Sequence, residues 1–218
     1  MAGAVAVGKS TAVRAVARGL EGRGRRVQTL STDAFLLPNN VLTARGLLMR
    51  KGFPESYDDE AIEEVLGRLR AGAAVTVRVY SHDVYDIVPG ASDTVHPADV
   101  VLVEGVVALQ PPTVRHLALR VYIDAPEACV REWFAERFVR LTEAAATDPA
   151  SYYHGFSGVP LEQVRRVAEA AWDGINGPNL HEHIAPSASN ADIVVRKAAD
   201  HSVADIRVVP RIADAPRG

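Results

Sequence analysis

Near the start of the chain, Gly3-Ala4-Val5-Ala6-Val7-Gly8-Lys9-Ser10 fits G-x-x-x-x-G-K-[ST], the spacing of a phosphate-binding loop. The chemistry explains the spacing. Glycines at both ends let consecutive backbone N–H groups turn inward around a phosphate, and the helix that follows offers its positive N-terminal end. Lys9 supplies charge that neutralises a transferring phosphate, and Ser10 supplies the hydroxyl that holds Mg²⁺ in such loops. Ala12 to Ala17 is good helix-forming sequence, as that geometry demands. The motif predicts ATP and Mg²⁺ as cofactors, with Gly3, Val7, Gly8, Lys9 and Ser10 around the phosphates. Such a loop normally leaves a central strand, yet only Met1 and Ala2 precede Gly3, so the expectation is that the natural chain is longer.

Two acids and one arginine could complete a phosphoryl-transfer site. Asp33, in Thr29-Leu30-Ser31-Thr32-Asp33-Ala34-Phe35, stands just past an apolar strand, at the sheet edge where α/β proteins bind ligands. It is a candidate base, and a helix-capping or turn Asp is the plainer alternative. Glu104 ends the strand Val100 to Val103 ahead of Gly105, where an acid polarises Mg²⁺ or its water. On the helix beginning at Pro126, steps of about 100° put Val130, Phe138 and Leu141 close to the line of Phe134, with Arg137 at the edge of that stripe. From there Arg137 could stabilise charge on a triphosphate, or else sit on the surface paired with Glu136 or Asp148.

The elements that position these residues follow from periodicity. Short β-branched runs at Val27–Leu30, Val75–Tyr80, Val100–Val103, Leu119–Ile123 and Ile193–Val195 predict strands. Helical patterns cover Thr11–Gly19, Asp58–Ala71, Pro126–Ala145 and Leu161–Ile175. This alternation predicts an α/β fold, a P-loop NTPase-type mostly parallel sheet with helices on both faces. The 218 residues suffice for one substantial core, so residues 1–209 are expected to form a single domain and 210–218, rich in Pro, Gly and Ala, a loose tail.

Composition narrows the function classes. With 24 basic and 27 acidic residues the net charge is -3, so no global basic field points to nucleic acid or anionic lipid. Cys129 is the single cysteine; Val130 and Trp133 beside it predict a buried thiol, and a reducing, cytoplasmic setting is the simpler expectation. The apolar start lacks a basic n-region, and Val100–Leu109 is interrupted by Glu104 and Gly105, so neither a leader nor a membrane span is expected.

The strings Thr32-Asp33-Ala34-Phe35, Lys51-Gly52-Phe53-Pro54-Glu55-Ser56-Tyr57-Asp58, Val79-Tyr80-Ser81-His82, Tyr85-Asp86 and Thr147-Asp148-Pro149 give the chain a further likeness: over residues 3–209 it resembles bacterial type I pantothenate kinase, a P-loop kinase related to uridine kinase and phosphoribulokinase. The resemblance implies that Lys9, Ser10 and Thr11 handle phosphate and Mg²⁺, that Asp33 takes the proton of the acceptor hydroxyl, that Glu104 serves on the metal side, and that Arg137 is the transition-state arginine. It also implies that Tyr80, His82 and Tyr85 line the acceptor pocket and that Arg14 and His201 lie near the nucleotide or its competitor coenzyme A.

The chain departs from the pattern at four pocket positions: Phe134 and Phe156 stand where the family has Tyr, His183 where it has Asn, and Ala146 where it has Phe. Phe134 removes a hydroxyl and His183 exchanges an amide for an imidazole, and polar pockets discriminate strongly when a partner is lost. The expectation drawn from this is an ATP-dependent kinase whose small hydroxyl acceptor is not pantothenate, with pantothenate itself as the alternative. A homodimer is left open, as is a kinase-like binding protein without catalysis.

Overall fold

The computed structural model describes residues 1–210; of the expected tail, residues 211–218 lie outside the described residues. Its first strand, β1 (Ala2–Gly3), runs directly into the phosphate loop. It pairs in parallel with β6 (Val121–Asp124), Gly3 opposite Ile123. On its other side the Met1 ammonium donates to the Val103 carbonyl and Gly105 N–H donates to the Met1 carbonyl at 3.2 Å. These bonds lay the parallel pair β2 (Val27–Ser31) and β5 (Val100–Glu104) beside β1. Beyond β6 come β7 (Ile193–Lys197), parallel, and β8 (Val203–Val208), antiparallel, at the edge. The functional ends of β1, β2 and β5 therefore meet at one rim, as expected of a mostly parallel α/β sheet.

The helix α1 (Lys9–Glu21) returns from the loop against β2 and β5. After the short α2 (Asn39–Ala44), α3 (Asp59–Arg70) begins at Asp58, whose carboxylate caps the Ala61 N–H at 3.1 Å and so fixes the end of the Lys51–Asp58 string. The antiparallel hairpin β3 (Val75–Ser81) and β4 (Asp86–Val95) forms a separate small sheet. Helix α4 (Glu127–Ala144) is buried on two sides: Val130 and Trp133 enter the main core with Val7, Leu30 and Ile123, while Ala135 and Phe138 join Tyr153, Val164 and Ala168 under α5 (Leu161–Ala171).

Differences from the periodicity reading have local causes. The strand expected from Leu119 starts at Val121, because the Asp192 carboxylate takes the Arg120 N–H at 2.8 Å and Leu119 is left exposed. The helix expected to Ile175 ends as regular α-helix at Ala171; turns of π-helix, Trp172–Asn176 and Leu180–Ile184, flank Gly177–Asn179. Pro178 has no N–H for the regular ladder, so the backbone widens around it. Strand β4 was hidden by Pro89 and Gly90, which read as a turn but fit an edge hairpin. Cys129 is half-buried rather than buried.

Candidate active site

The phosphate side is built almost entirely from backbone. Gly8, at φ 97°, caps α1 in a left-handed conformation without any side-chain hydrogen bond, leaving the first N–H groups of the helix open to an anion. Lys9 folds back so that Nζ donates to the carbonyls of Gly3 at 3.2 Å and Ala4 at 2.9 Å, which holds the ammonium across the mouth of the loop. Burial lowers its pKa, opposed by the charges of Glu104 and Asp33. Ser10 Oγ donates to Glu104 Oε1 at 3.0 Å. A hydroxyl and a carboxylate joined at a helix N-terminus are hard oxygen donors of the kind Mg²⁺ takes alongside phosphate oxygens, so these residues fit the ion. Glu104 reaches that place because Gly105 passes directly over Thr32: a Cβ on Gly105 would lie 1.7 Å from Thr32 Oγ1.

Asp33 stands one turn beyond β2, in the short helix Thr32–Phe35, whose cap is the Ser31 hydroxyl accepting from Asp33 N–H at 3.2 Å. Its own side chain therefore is not the cap. It lines a cleft of about 280 Å³ together with Tyr80, His82 and Glu104, between the β2 end and the β3–β4 hairpin. Burial raises its pKa above the ordinary carboxylate range, with Lys9, Arg137 and Lys51 pulling it back. A carboxylate with raised pKa among cations is suited to accept a proton and remain ionised enough to do so. His82 Nε2 lies 3.8 Å from Asp33 Oδ2, and burial followed by the Arg137 charge lowers the imidazole pKa, so the contact is between a neutral ring and the acid. The Arg137 guanidinium makes no ion pair with Glu136 or Asp148 among the described residues; its charge acts on Lys9, Asp33 and His82. Arg137 is half-buried on α4.

On the acceptor side the sequence reading left Lys51 without a role. The side chain is 8% exposed, donates to Asn39 Oδ1 at 2.7 Å and to the Tyr85 carbonyl at 2.5 Å, and its ammonium lies 4.9 Å from the Tyr80 ring centre and 4.3 Å from that of Tyr85. Burial lowers its pKa to about 8, against the charges of Asp86 and Asp33. One of its three N–H donors has no partner among the described residues. The available signal was its place at the head of the most distinctive string in the chain. Tyr80 meets His82 edge-on at 5.2 Å, and Tyr85, at φ 52°, stacks on Tyr152 at 4.8 Å.

The four departing positions are not one cluster. Phe134 packs against Trp172 at 5.9 Å and Phe138 at 6.3 Å, and Phe156 against Phe138 at 5.2 Å. Ala146 sits in the short helix Ala145–Thr147 after α4. His183 lies in the second π-turn, edge-on to Phe53 at 5.7 Å, with a buried Nε2 that has no hydrogen-bond partner. Asn179, one turn earlier, donates to the Gly52 carbonyl at 2.8 Å and so fastens this segment to the Lys51 loop.

Opposite, the turn after β7 reaches the phosphate loop. Lys197 Nζ donates to the Val7 carbonyl at 2.9 Å and lies 3.3 Å from His201 Nδ1, and His201 stacks on Trp133 at 4.0 Å. Sequence reasoning placed His201 near the nucleotide but missed Trp133 and Lys197. Arg14 Nη2 is 3.4 Å from Thr11 Oγ1 on the exposed side of α1.

Residues 1–140 match the family model described as Phosphoribulokinase / Uridine kinase family. The chain is 43% identical to a pantothenate kinase of Myxococcus xanthus over 95% of this chain and 70% of that protein. It is 44% identical to one from Sorangium cellulosum, over 93% of this chain and 69% of the other. The solved D-glycerate 3-kinase of Cryptococcus neoformans superposes with a TM-score of 0.63 at 15% identity, covering 95% of this chain and 88% of that one, a likeness of fold.

Proposed function

The chain belongs to the phosphoribulokinase/uridine kinase family as a pantothenate kinase-like, ATP-dependent small-molecule kinase, and from that premise we propose that its acceptor is pantothenate. The observation that carries the choice is the buried Lys51 ammonium, with one donor to spare, beside Tyr80, Tyr85 and Asp33. A buried cation and a carboxylate base whose charges act on each other suit a substrate that carries both a carboxylate and a hydroxyl, as pantothenate does. Identity above 40% over nearly the whole chain to proteins named pantothenate kinase supports the same reading. The divergence at Phe134 and His183, which pointed away from pantothenate in the sequence, is less weighty in the fold: Phe134 is engaged with Trp172 and Phe138, and His183 Nε2, 3.7 Å from Glu182 Oε2, makes no hydrogen bond among the described residues and so keeps the capacity for one.

In the proposed reaction the open N–H groups of α1 and Lys9 hold the β- and γ-phosphates, and Ser10 with Glu104 would hold Mg²⁺, which when bound neutralises phosphate charge. Asp33 accepts the hydroxyl proton as the acceptor oxygen attacks the γ-phosphorus and the bond from that phosphorus to the bridging oxygen breaks to release ADP, and Arg137, whose charge acts on Lys9 and Asp33, stabilises the charge on the transferring group. Neutral His82 orients the Asp33 carboxylate. Among the described residues no helix is long and apolar enough to cross a membrane, and a cytoplasmic location is part of this proposal.

The test is ATP-dependent ADP release with pantothenate and with a panel of hydroxyl metabolites lacking a carboxylate, nucleosides included. The expected result is pantothenate as the best acceptor and a product heavier by one phosphoryl group. A nucleoside turned over more efficiently than pantothenate would instead establish the diverged pocket.

A further inference from the structure

The phosphate loop carries backbone strain that its glycines do not wholly relieve. Ala6 stands at φ 64° and Gly8 at φ 97°, so Val7, fully buried, is held between two left-handed residues. Within the loop Val7 has one bond, its N–H donating to the Ala4 carbonyl at 3.3 Å. Its carbonyl instead accepts from Lys197 Nζ at 2.9 Å, from the last residue of β7 and 190 positions along the chain. A Cβ on Gly8 would lie 2.9 Å from the same ammonium, so Lys197 fills the space that a side chain at Gly8 would need.

The ammonium is itself held. It lies 3.3 Å from His201 Nδ1 and 5.0 Å from the centre of the Trp133 ring, and His201 stacks on that ring at 4.0 Å. An ammonium only donates, so Nδ1 is the acceptor and the neutral imidazole carries its proton on Nε2. His201 stands at φ 67°, in a turn closed by the Ala198 N–H donating to the Ser202 carbonyl at 2.9 Å. A strained histidine in a closed turn, stacked on a tryptophan that α4 anchors in the main core, gives Lys197 a rigid seat.

A trans peptide unit points its C=O and its N–H to opposite sides. With the Val7 carbonyl on Lys197, the Gly8 N–H of the same unit faces away from that lysine, and it has no acceptor among the described residues. Lys9 does not duplicate this contact, because its ammonium takes the Gly3 and Ala4 carbonyls at the other end of the loop. We propose that Lys197 is a positioning residue for nucleotide binding: it holds the Val7 carbonyl so that the Gly8 N–H is turned toward the phosphates, and Trp133 and His201 hold Lys197. This role rests on the ATP site proposed above and adds to it a brace from outside the loop motif.

The experiment uses the full chain and two probes with Mg²⁺, ADP and inorganic pyrophosphate, their affinities measured by calorimetry. It also follows the order of the Gly8 amide in the ligand-free chain by nitrogen-15 relaxation. Lys197→Met is expected to weaken both probes alike, by about tenfold or more, the worth of a hydrogen bond from a charged donor. The same variant should loosen the Gly8 amide while the amides of α5 stay as ordered as before, and Lys197→Arg should recover most of both losses. Unchanged affinity in Lys197→Met overturns the proposal. Weakened ADP with unchanged pyrophosphate also overturns it, since Lys197 would then act on the base or ribose. Weakened binding with an equally ordered Gly8 amide would mean direct contact with phosphate, and loosening that extends to α5 would mean a merely structural role; each overturns it too. An unmodified chain that binds neither probe would remove the ATP site itself, and the brace with it.

Discussion

The two halves of the site are built by opposite means. The proposed phosphate half is mostly contiguous: Gly3 to Thr11 supply the strand end, the loop, the lysine and the open helix terminus, with Glu104 and Lys197 added from elsewhere. The acceptor half is dispersed: Asp33 follows β2, Lys51 precedes α3, Tyr80 and Tyr85 come from the β3–β4 hairpin, Arg137 from α4 and His183 from a π-turn. A backbone-built site tolerates change in its side chains other than Lys9, Ser10 and Lys197, whereas a site assembled from five segments can be retuned one residue at a time. That difference predicts catalytic failure from changes on the first half and altered selectivity from changes on the second.

The largest effect should come from Lys9→Met, which removes the ammonium held across the mouth of the loop: kcat/KM is expected to fall by about a thousandfold or more, read in steady-state kinetics with a coupled ADP assay. A loss below tenfold would place the transfer elsewhere. Asp33→Asn should lower kcat by about 10² to 10⁴ while nucleotide affinity, measured by calorimetry, stays nearly constant. Weakened ATP binding with modest loss of kcat would assign Asp33 to the phosphate half instead.

How legible each half was follows from the same contrast. The loop could be read because its function needs fixed residue types at fixed spacing, and Asp33 and Glu104 because a strand pattern ended just before each. The parallel core was legible from β-branched runs, since burial on both faces demands them. Strand β8 was not, because nothing among the described residues covers it and its alternation carries no burial signal. Lys51 escaped because its meaning lies in Asn39, Tyr80 and Tyr85, which only the fold brings around it. Trp133 and Lys197 escaped likewise: a tryptophan beside Cys129 and Val130 reads as core, and its partner His201 comes from the turn after β7, far away in the chain. Phe134 and His183 were read as one altered pocket; the structure gives them separate neighbours, Trp172 and Phe53.

Two smaller effects sharpen the acceptor half. The Lys51 pKa of about 8 implies that KM for a carboxylate acceptor rises as pH passes upward through that value, because the ammonium loses its charge. Asp33, whose pKa is raised by burial and held back by Lys51 among others, must be ionised to accept a proton, so activity falls as pH falls through its pKa. Removing the Lys51 cation raises that pKa further, and the acidic limb of the kcat/KM profile of Lys51→Met should move to higher pH. A limb that moves down or stays fixed would separate Lys51 from the base. The smallest change is expected of Phe134→Tyr with His183→Asn: if pantothenate is the acceptor, the double variant alters kcat/KM for it less than about fivefold, since each restored hydrogen bond adds about 0.5 to 1.5 kcal/mol only where one was missing. A gain approaching a hundredfold would show that the pocket had diverged.

In the proposed function Lys51 reads a carboxylate at the far end of the acceptor from the hydroxyl that Asp33 deprotonates. That role is tested most directly by comparing kcat/KM for pantothenate and for pantothenol, which keeps the hydroxyls and carries an alcohol in place of the carboxylate, in the unmodified chain and in Lys51→Met. The unmodified chain should prefer pantothenate by at least about thirtyfold, the worth of a charged pair in a desolvated site, and the variant should lose most of that preference by turning over pantothenate poorly and pantothenol as before. Equal use of both acceptors by the unmodified chain, or a preference that survives Lys51→Met, would contradict the account.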